Sequence, residues 1–269
     1  MKKKTPWEKE WEGLLKAETR YNKRRKDGPT SVLLLKLDRF VPKKLSGTLN
    51  AAFAKAFIVI FNKGTFIIEK TYNRKKKQAD YKIDKFAHEL MNDSKTAHSF
   101  TKRANGSKLL NIVISFVEGV LMGLLGLSLP DIPLFIGLII KSVYEVAITY
   151  GYDYHDEDEK VFILKIIEVA MKDEEEFIEG DRQINEAIDF IAKNNDEIGG
   201  WNISKDEQIK LTASSLAKEM LYTKFIQGYF LIGIVGGVFD PVYVNRVCNY
   251  AALKYRRRFL SKHLESENK

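Results

Sequence analysis

The longest apolar pattern in the chain covers residues 109–150, LLNIVISFVEGVLMGLLGLSLPDIPLFIGLIIKSVYEVAITY. Two apolar arms flank the breaker Ser128-Leu129-Pro130-Asp131-Ile132-Pro133. Proline lacks a backbone donor and pushes the residue before it toward extended geometry, so the run is predicted to fold as a helical hairpin. Upstream, Trp7, Trp11, Leu14 and Leu15 recur at helical spacing, which predicts an amphipathic helix over 7–26 with a basic last turn, ended by Gly28-Pro29. A short apolar segment at 31–40 is interrupted by Val41-Pro42. From Leu45 the pattern is helical; Phe66-Ile67-Ile68 has strand composition, but helix continuation fits its neighbours better. Helices are predicted near 79–92 and onward from a cap at Asp93 or Ser94. Further helices are predicted at 160–172 behind a capping box of Asp156 and Glu159, over 173–193, and from Ser204, with Glu207 three residues later, toward Tyr222. A glycine-rich apolar stretch, 225–239, precedes Asp240-Pro241, where Asp caps and Pro takes the first position of a helix ending in Tyr255–Phe259. With no strand-rich region and no repeat, the expected fold is all-α: a single multi-helix domain around a central glycine-rich apolar helical hairpin, preceded by a basic amphipathic N-terminal helix at 1–28.

The first hairpin arm, 109–129, holds 21 residues and one formal charge, Glu118. About 20 apolar residues suffice to span a bilayer. The second arm carries Lys141 and Glu145, an i,i+4 pair of opposite sign. A charge near a bilayer centre costs at least about 2.5 kcal/mol, and Glu118, Asp131 and Lys141 would each bear that cost. The pattern therefore favours a protein core over the alternative of membrane insertion or re-entrance. Gly119 and Gly123, and later Gly233 and Gly237, repeat at four and give two smooth helix faces expected to contact each other.

Composition narrows the setting. Of 269 residues, 45% are apolar and 30% charged, as in folded soluble proteins. Cys248 is the single cysteine, so no internal disulfide can form and no zinc site can draw two cysteines from this chain. The start, Met1-Lys2-Lys3-Lys4-Thr5-Pro6-Trp7-Glu8, lacks the apolar run of a signal peptide. The expected setting is cytoplasmic, peripheral on the inner face of the cell membrane. The net charge of +8 divides unevenly: +16 over residues 1–108, −13 over 109–222 and +5 over 223–269. Such asymmetry predicts either a basic surface for an anionic partner or internal pairing with the acidic middle. Among the basic runs, which also include Lys23–Lys26, Lys75, Lys76 and Lys77 and then Arg256, Arg257 and Arg258 are the candidate membrane or partner contacts, each worth about 1 kcal/mol at an anionic lipid surface. No nucleic-acid motif accompanies them, so nucleic acid is not an expected partner.

Candidate chemistry is sparse. His88-Glu89-Leu90-Met91-Asn92 lacks the second histidine of a zinc-protease H-E-x-x-H. The acidic cluster from Asp153 to Glu159 has no EF-hand rhythm and reads as helix capping rather than a divalent-ion site. Glu118, Asp131, Glu145 and Asp240 are candidate buried carboxylates; two that converged could give a general acid of raised pKa, but capping and ion pairing are the simpler roles. No G-x-S-x-G, P-loop or G-x-G-x-x-G occurs. The expectation is a non-enzymatic protein without metal or cofactor, with a hydrolase using core carboxylates and a soluble scaffold as alternatives.

Gly126-Leu127-Ser128-Leu129-Pro130-Asp131-Ile132-Pro133, then Ser142–Val146 and Tyr150-Gly151-Tyr152-Asp153, resemble the signature of the EcsC protein family. So do Trp11–Glu18 near the start and Gly233–Phe239 leading to Tyr255–Leu260 near the end, in the same order over nearly the whole chain. Pro130, Asp131, Ile132 and Pro133 form the signature turn, and residues 29–269 read as the EcsC-like domain. The chain departs at Asp240, where a neutral polar residue is usual, and at Ser128-Leu129, where Gly or Ala is common. The family is named after a gene beside the ATPase and membrane components of an ABC transporter, so the resemblance implies a transporter-associated accessory protein and assigns no catalytic residue.

Overall fold

Capping chemistry sets the starts of three helices and the end of a fourth. The structure is a computed structural model and describes residues 4–26, 43–91, 98, 131–194, 203–226 and 241–267. Helix α1 (Pro6–Lys26) begins at a reciprocal capping box: the Glu8 N–H donates to Thr5 Oγ1 at 3.2 Å, and the Thr5 N–H donates to Glu8 Oε2 at 2.7 Å. Helix α2 (Lys43–Val59) passes through a π turn (Ile60–Gly64) into α3 (Thr65–Lys70), so the 66–68 segment is helical. Helix α4 (Arg74–Met91) starts five residues before the predicted 79 because the Asn73 side chain caps it, accepting the Lys76 N–H at 2.8 Å.

Helix α5 (Asp131–Thr149) is the second hairpin arm, and Pro133 sits in its first turn, where the missing N–H would have had no intrahelical partner. It ends in a Schellman motif: Tyr152 N–H bonds the Ala147 carbonyl, Gly151 N–H bonds the Ile148 carbonyl, and Gly151 holds φ +84°. The Tyr81 ring lies where a Cβ at Gly151 would stand, a second reason for glycine there.

The chain continues with α6 (Glu157–Ala170), α7 (Glu174–Lys193), α8 (Lys205–Ile226) and α9 (Pro241–Glu267). Ser204 caps α8 by accepting the Glu207 N–H at 3.2 Å. The capping box predicted for α6 does not form: Asp156 makes no side-chain cap bond, and Glu159 turns into the core toward α9. Helix α9 runs on to Glu267, past the predicted end at 255–259.

No strand occurs among the described residues, and the fold is all-α. Helices α5 and α6 form the centre. Helix α8 lies across α2 and α6, α4 covers α5, and α9 lies along α1, α5, α6 and α7. One apolar core runs from Trp7 to Leu260. Two helical stretches, Lys44–Lys70 and Ile132–Thr149, are long and apolar enough to cross a membrane by length and composition; 89% of the second is buried in the fold. The first arm of the hairpin and the glycine pairs Gly119/Gly123 and Gly233/Gly237 lie outside the described residues.

Candidate anion-binding groove

Helices α1 and α9 pack side by side, and their joint surface is built from two stripes at helical spacing. Helix α1 contributes Ala17, Arg20, Tyr21, Arg24 and Arg25; α9 contributes Arg246, Asn249, Ala252, Leu253 and Arg256. With Tyr150 they line a partly open groove of about 360 Å³ that holds five guanidiniums and no carboxylate. That volume lies in the range of small-molecule sites.

The five arginines differ in their partners. Arg246 reaches Glu219 at 2.5 Å, and Arg256 reaches Glu10 at 2.8 Å. Gly13 leaves room for Arg256, whose guanidinium would stand 3.3 Å from a Cβ at that position. Arg25 donates to the Lys172 carbonyl and stacks 5.1 Å above the Phe177 ring. Burial, then the nearby positive charge of Arg246, pushes the Arg25 pKa down from its ordinary value. Arg20 and Arg24 are exposed and form no ion pair among the described residues. The Nε atoms of Arg25 and Arg256 are buried without an acceptor. Between these cations, Tyr21 donates to the Arg246 carbonyl at 3.3 Å, and burial raises its hydroxyl to about 12, so it stays protonated at neutral pH. The groove therefore offers a concentrated positive field, many unused donors and an apolar wall, which are the elements of anion recognition.

The remaining buried charges are paired within the fold. Lys254 stands 2.9 Å from Glu18, 2.7 Å from Asp181 and 2.7 Å from the Asn185 side-chain oxygen, which ties α9 to α1 and α7. Burial alone would raise the Asp181 pKa, but Lys254 together with hydrogen bonds from Tyr250 and Asn22 holds it below the ordinary value. Arg258 donates to Glu159 at 2.7 Å and lies 3.9 Å over the Tyr152 ring, while the Tyr255 hydroxyl donates to the same carboxylate. Arg257 grips Glu18 through two nitrogens at 3.1 Å. The run Arg256–Arg258 thus faces three acids inside the molecule, and of the three only Arg256 also lines the groove.

Among the other predicted residues, Lys75 and Lys76 are exposed, and Lys77 leans inward to Glu145 at 3.2 Å. Glu145 and Lys141 form the expected i,i+4 pair at 3.5 Å, both side chains 3% exposed. Glu118, Pro130 and Asp240 lie outside the described residues; Asp131 opens α5, with Ile132 and Pro133 buried behind it. The four candidate carboxylates are therefore represented by one described side chain, Glu145, held between two lysines. His88 is buried against Trp7, with ring centroids 4.1 Å apart. Asp153 pairs with Arg74, and Glu157 with Lys160 and Lys205. No set of three or more metal-ligating side chains occurs among the described residues.

The groove was missed at the level of sequence, although its signal is present. Ala17, Arg20, Tyr21 and Arg24 recur at three and four, as do Arg246, Asn249, Leu253 and Arg256, so each set occupies one helix face. Only the packing of the two helices shows that the faces adjoin.

The model of the family described as the EcsC protein family matches residues 8–260, which include all of the groove. A curated relative, "Uncharacterized protein YdbA" of Bacillus subtilis (strain 168), is 40% identical over 43 residues, and the match spans 16% of this chain and 16% of that protein's length. No solved structure matches.

Proposed function

The chain belongs to the EcsC protein family, and from that premise we propose that it is a non-enzymatic accessory protein working at the anionic inner face of the cytoplasmic membrane, with ABC-transporter subunits as the protein partner the family resemblance implies. The observation that carries this reading is the groove between α1 and α9: five arginines and no carboxylate, at the surface of the molecule. Arg20, Arg24 and Arg25 are left without a carboxylate ion partner among the described residues, and each such charge adds about 1 kcal/mol of attraction to anionic lipid. The exposed Lys75 and Lys76 at the start of α4 add to the basic surface. The core carboxylates give no comparable support to a hydrolase, since the described one, Glu145, sits between Lys77 and Lys141.

The test is fractionation of cells expressing the full chain, followed by a salt wash of the membranes. The reading expects recovery with membranes at low ionic strength and release by salt, because surface attraction is screened within about 8 Å at physiological ionic strength. Complete recovery in the soluble fraction at low salt overturns it. A detergent requirement would replace it with insertion.

A further inference from the structure

We propose that the arginine groove between α1 and α9 is a specific site for a phosphate monoester, one per chain, with the guanidiniums of Arg20, Arg24 and Arg25 taking the phosphoryl group and the Ala252–Leu253 wall taking the carbon substituent. The inference deepens the membrane-surface reading and rests on it. A general lipid attraction needs only scattered lysines. This groove is different in kind: its charge is concave, it is all arginine, and no acid lines it. Arginine's planar fork matches two phosphate oxygens at once, a geometry that an ammonium group lacks.

The charge balance selects the ligand's valence. Arg246 and Arg256 already have carboxylate partners in Glu219 and Glu10. Arg20 and Arg24 have none among the described residues, and Arg25, although Glu219 and Asp173 are near enough to offset part of its charge, makes no ion pair with either, which leaves roughly two to three positive charges for a ligand of about −1.5 to −2. A phosphodiester carries a single charge on two free oxygens and would leave most of the field uncompensated. A monoester presents three terminal oxygens and matches it better. Donor supply points the same way: the Arg20 and Arg24 guanidiniums line the groove, are exposed, and have no carboxylate ion partner among the described residues. The repulsion between Arg25 and Arg246 would ease as well. About 360 Å³ exceeds what a bare phosphate fills, and the remaining space borders apolar side chains, which suits the carbon skeleton of an ester.

Two sources share this chemistry, a phosphatidate-type lipid headgroup and a free phosphate compound, and the experiment separates them. The full chain is titrated with phosphatidylcholine vesicles containing phosphatidate and with vesicles of equal surface charge containing phosphatidylglycerol. In parallel, inorganic phosphate is titrated by calorimetry and used as a competitor. The comparison variant is Arg20→Gln/Arg24→Gln, whose exposed side chains leave the fold intact, as checked by its melting curve. The proposal expects binding on the order of tenfold tighter to phosphatidate than to charge-matched phosphatidylglycerol, one-site competition by phosphate, and loss of the preference in the double variant. One-site phosphate binding lost in the variant, with no vesicle binding, supports the site with a free ligand and overturns the membrane reading. Equal binding to both vesicle types without phosphate binding overturns the phosphate site and leaves the membrane reading standing. Binding to neither overturns both.

Discussion

Lys254 is 1% exposed and stands within ion-pair distance of both Glu18 and Asp181. Removing one partner of a buried pair leaves the other charges uncompensated in a medium that solvates them poorly. Lys254→Met should therefore destabilise the fold by about 3–5 kcal/mol in denaturant unfolding, whereas a change at exposed Arg20 should stay within about 0.5 kcal/mol. His263 gives a pH signature. It is packed on Trp7 and Phe259 with ring centroids 4.5 and 4.2 Å away, and burial lowers its pKa. Above about pH 6.5 the imidazole is neutral in both folded and unfolded chains; below that the unfolded chain takes up the proton first, so stability falls as pH drops toward the folded value. Melting curves of His263→Gln should show a shallower loss of stability below that pH than the parent; an identical slope would remove His263 as the cause. Residues 256–258 show why a charge run is hard to read from sequence. Successive residues on a helix point about 100° apart, so three adjacent arginines meet three different acids, two on α1 and one on α6.

Helix starts that carry a local cap are legible in sequence. Ser204 and the Pro241 start were read from composition and are observed as predicted, because capping is local chemistry. Thr5-Pro6-Trp7-Glu8 carries an equally local capping box; Thr5→Ala should cost about 1 kcal/mol. Glu159 defeated the same reasoning, since a buried arginine on α9 draws it from the cap into the core. The π turn at Ile60–Gly64 leaves the apolar pattern almost unchanged and so gives no signal in sequence. Crossing geometry is likewise invisible until helices meet. Gly180 of α7 faces Val169 of α6, where an added Cβ would stand 2.7 Å from Val169 Cγ2. Gly180→Ala should cost about 1–3 kcal/mol by overpacking, and Val169→Ala in the same chain should recover part of it; absence of any recovery would place the strain elsewhere.

At the scale of the molecule, the uneven charge of the sequence resolves into two uses. Part is cancelled inside, where Glu18, Glu159 and Asp181 receive Lys254, Arg257 and Arg258, and part is left facing outward in the groove. Sequence alone gave the total but not this partition, because each pairing joins helices more than 60 residues apart. Helix α1 belongs to both uses and also buries Trp7 and Leu14. A chain lacking residues 1–26 should lose near-UV circular dichroism and cooperative unfolding while keeping helical far-UV signal; a cooperative transition at the parent's denaturant midpoint would show that α1 is dispensable. The place of α9 in the order of synthesis has a further consequence. Lys254, Arg257 and Arg258, which pair with Glu18, Asp181 and Glu159, lie on this helix, which the ribosome makes after every other described element. Those acids lack these α9 partners on the nascent chain, at about 5–20 residues per second of elongation, until α9 emerges. Protease resistance of stalled chains should therefore appear in one step once α9 clears the exit tunnel, and a gradual gain across earlier lengths would show that the core closes without it.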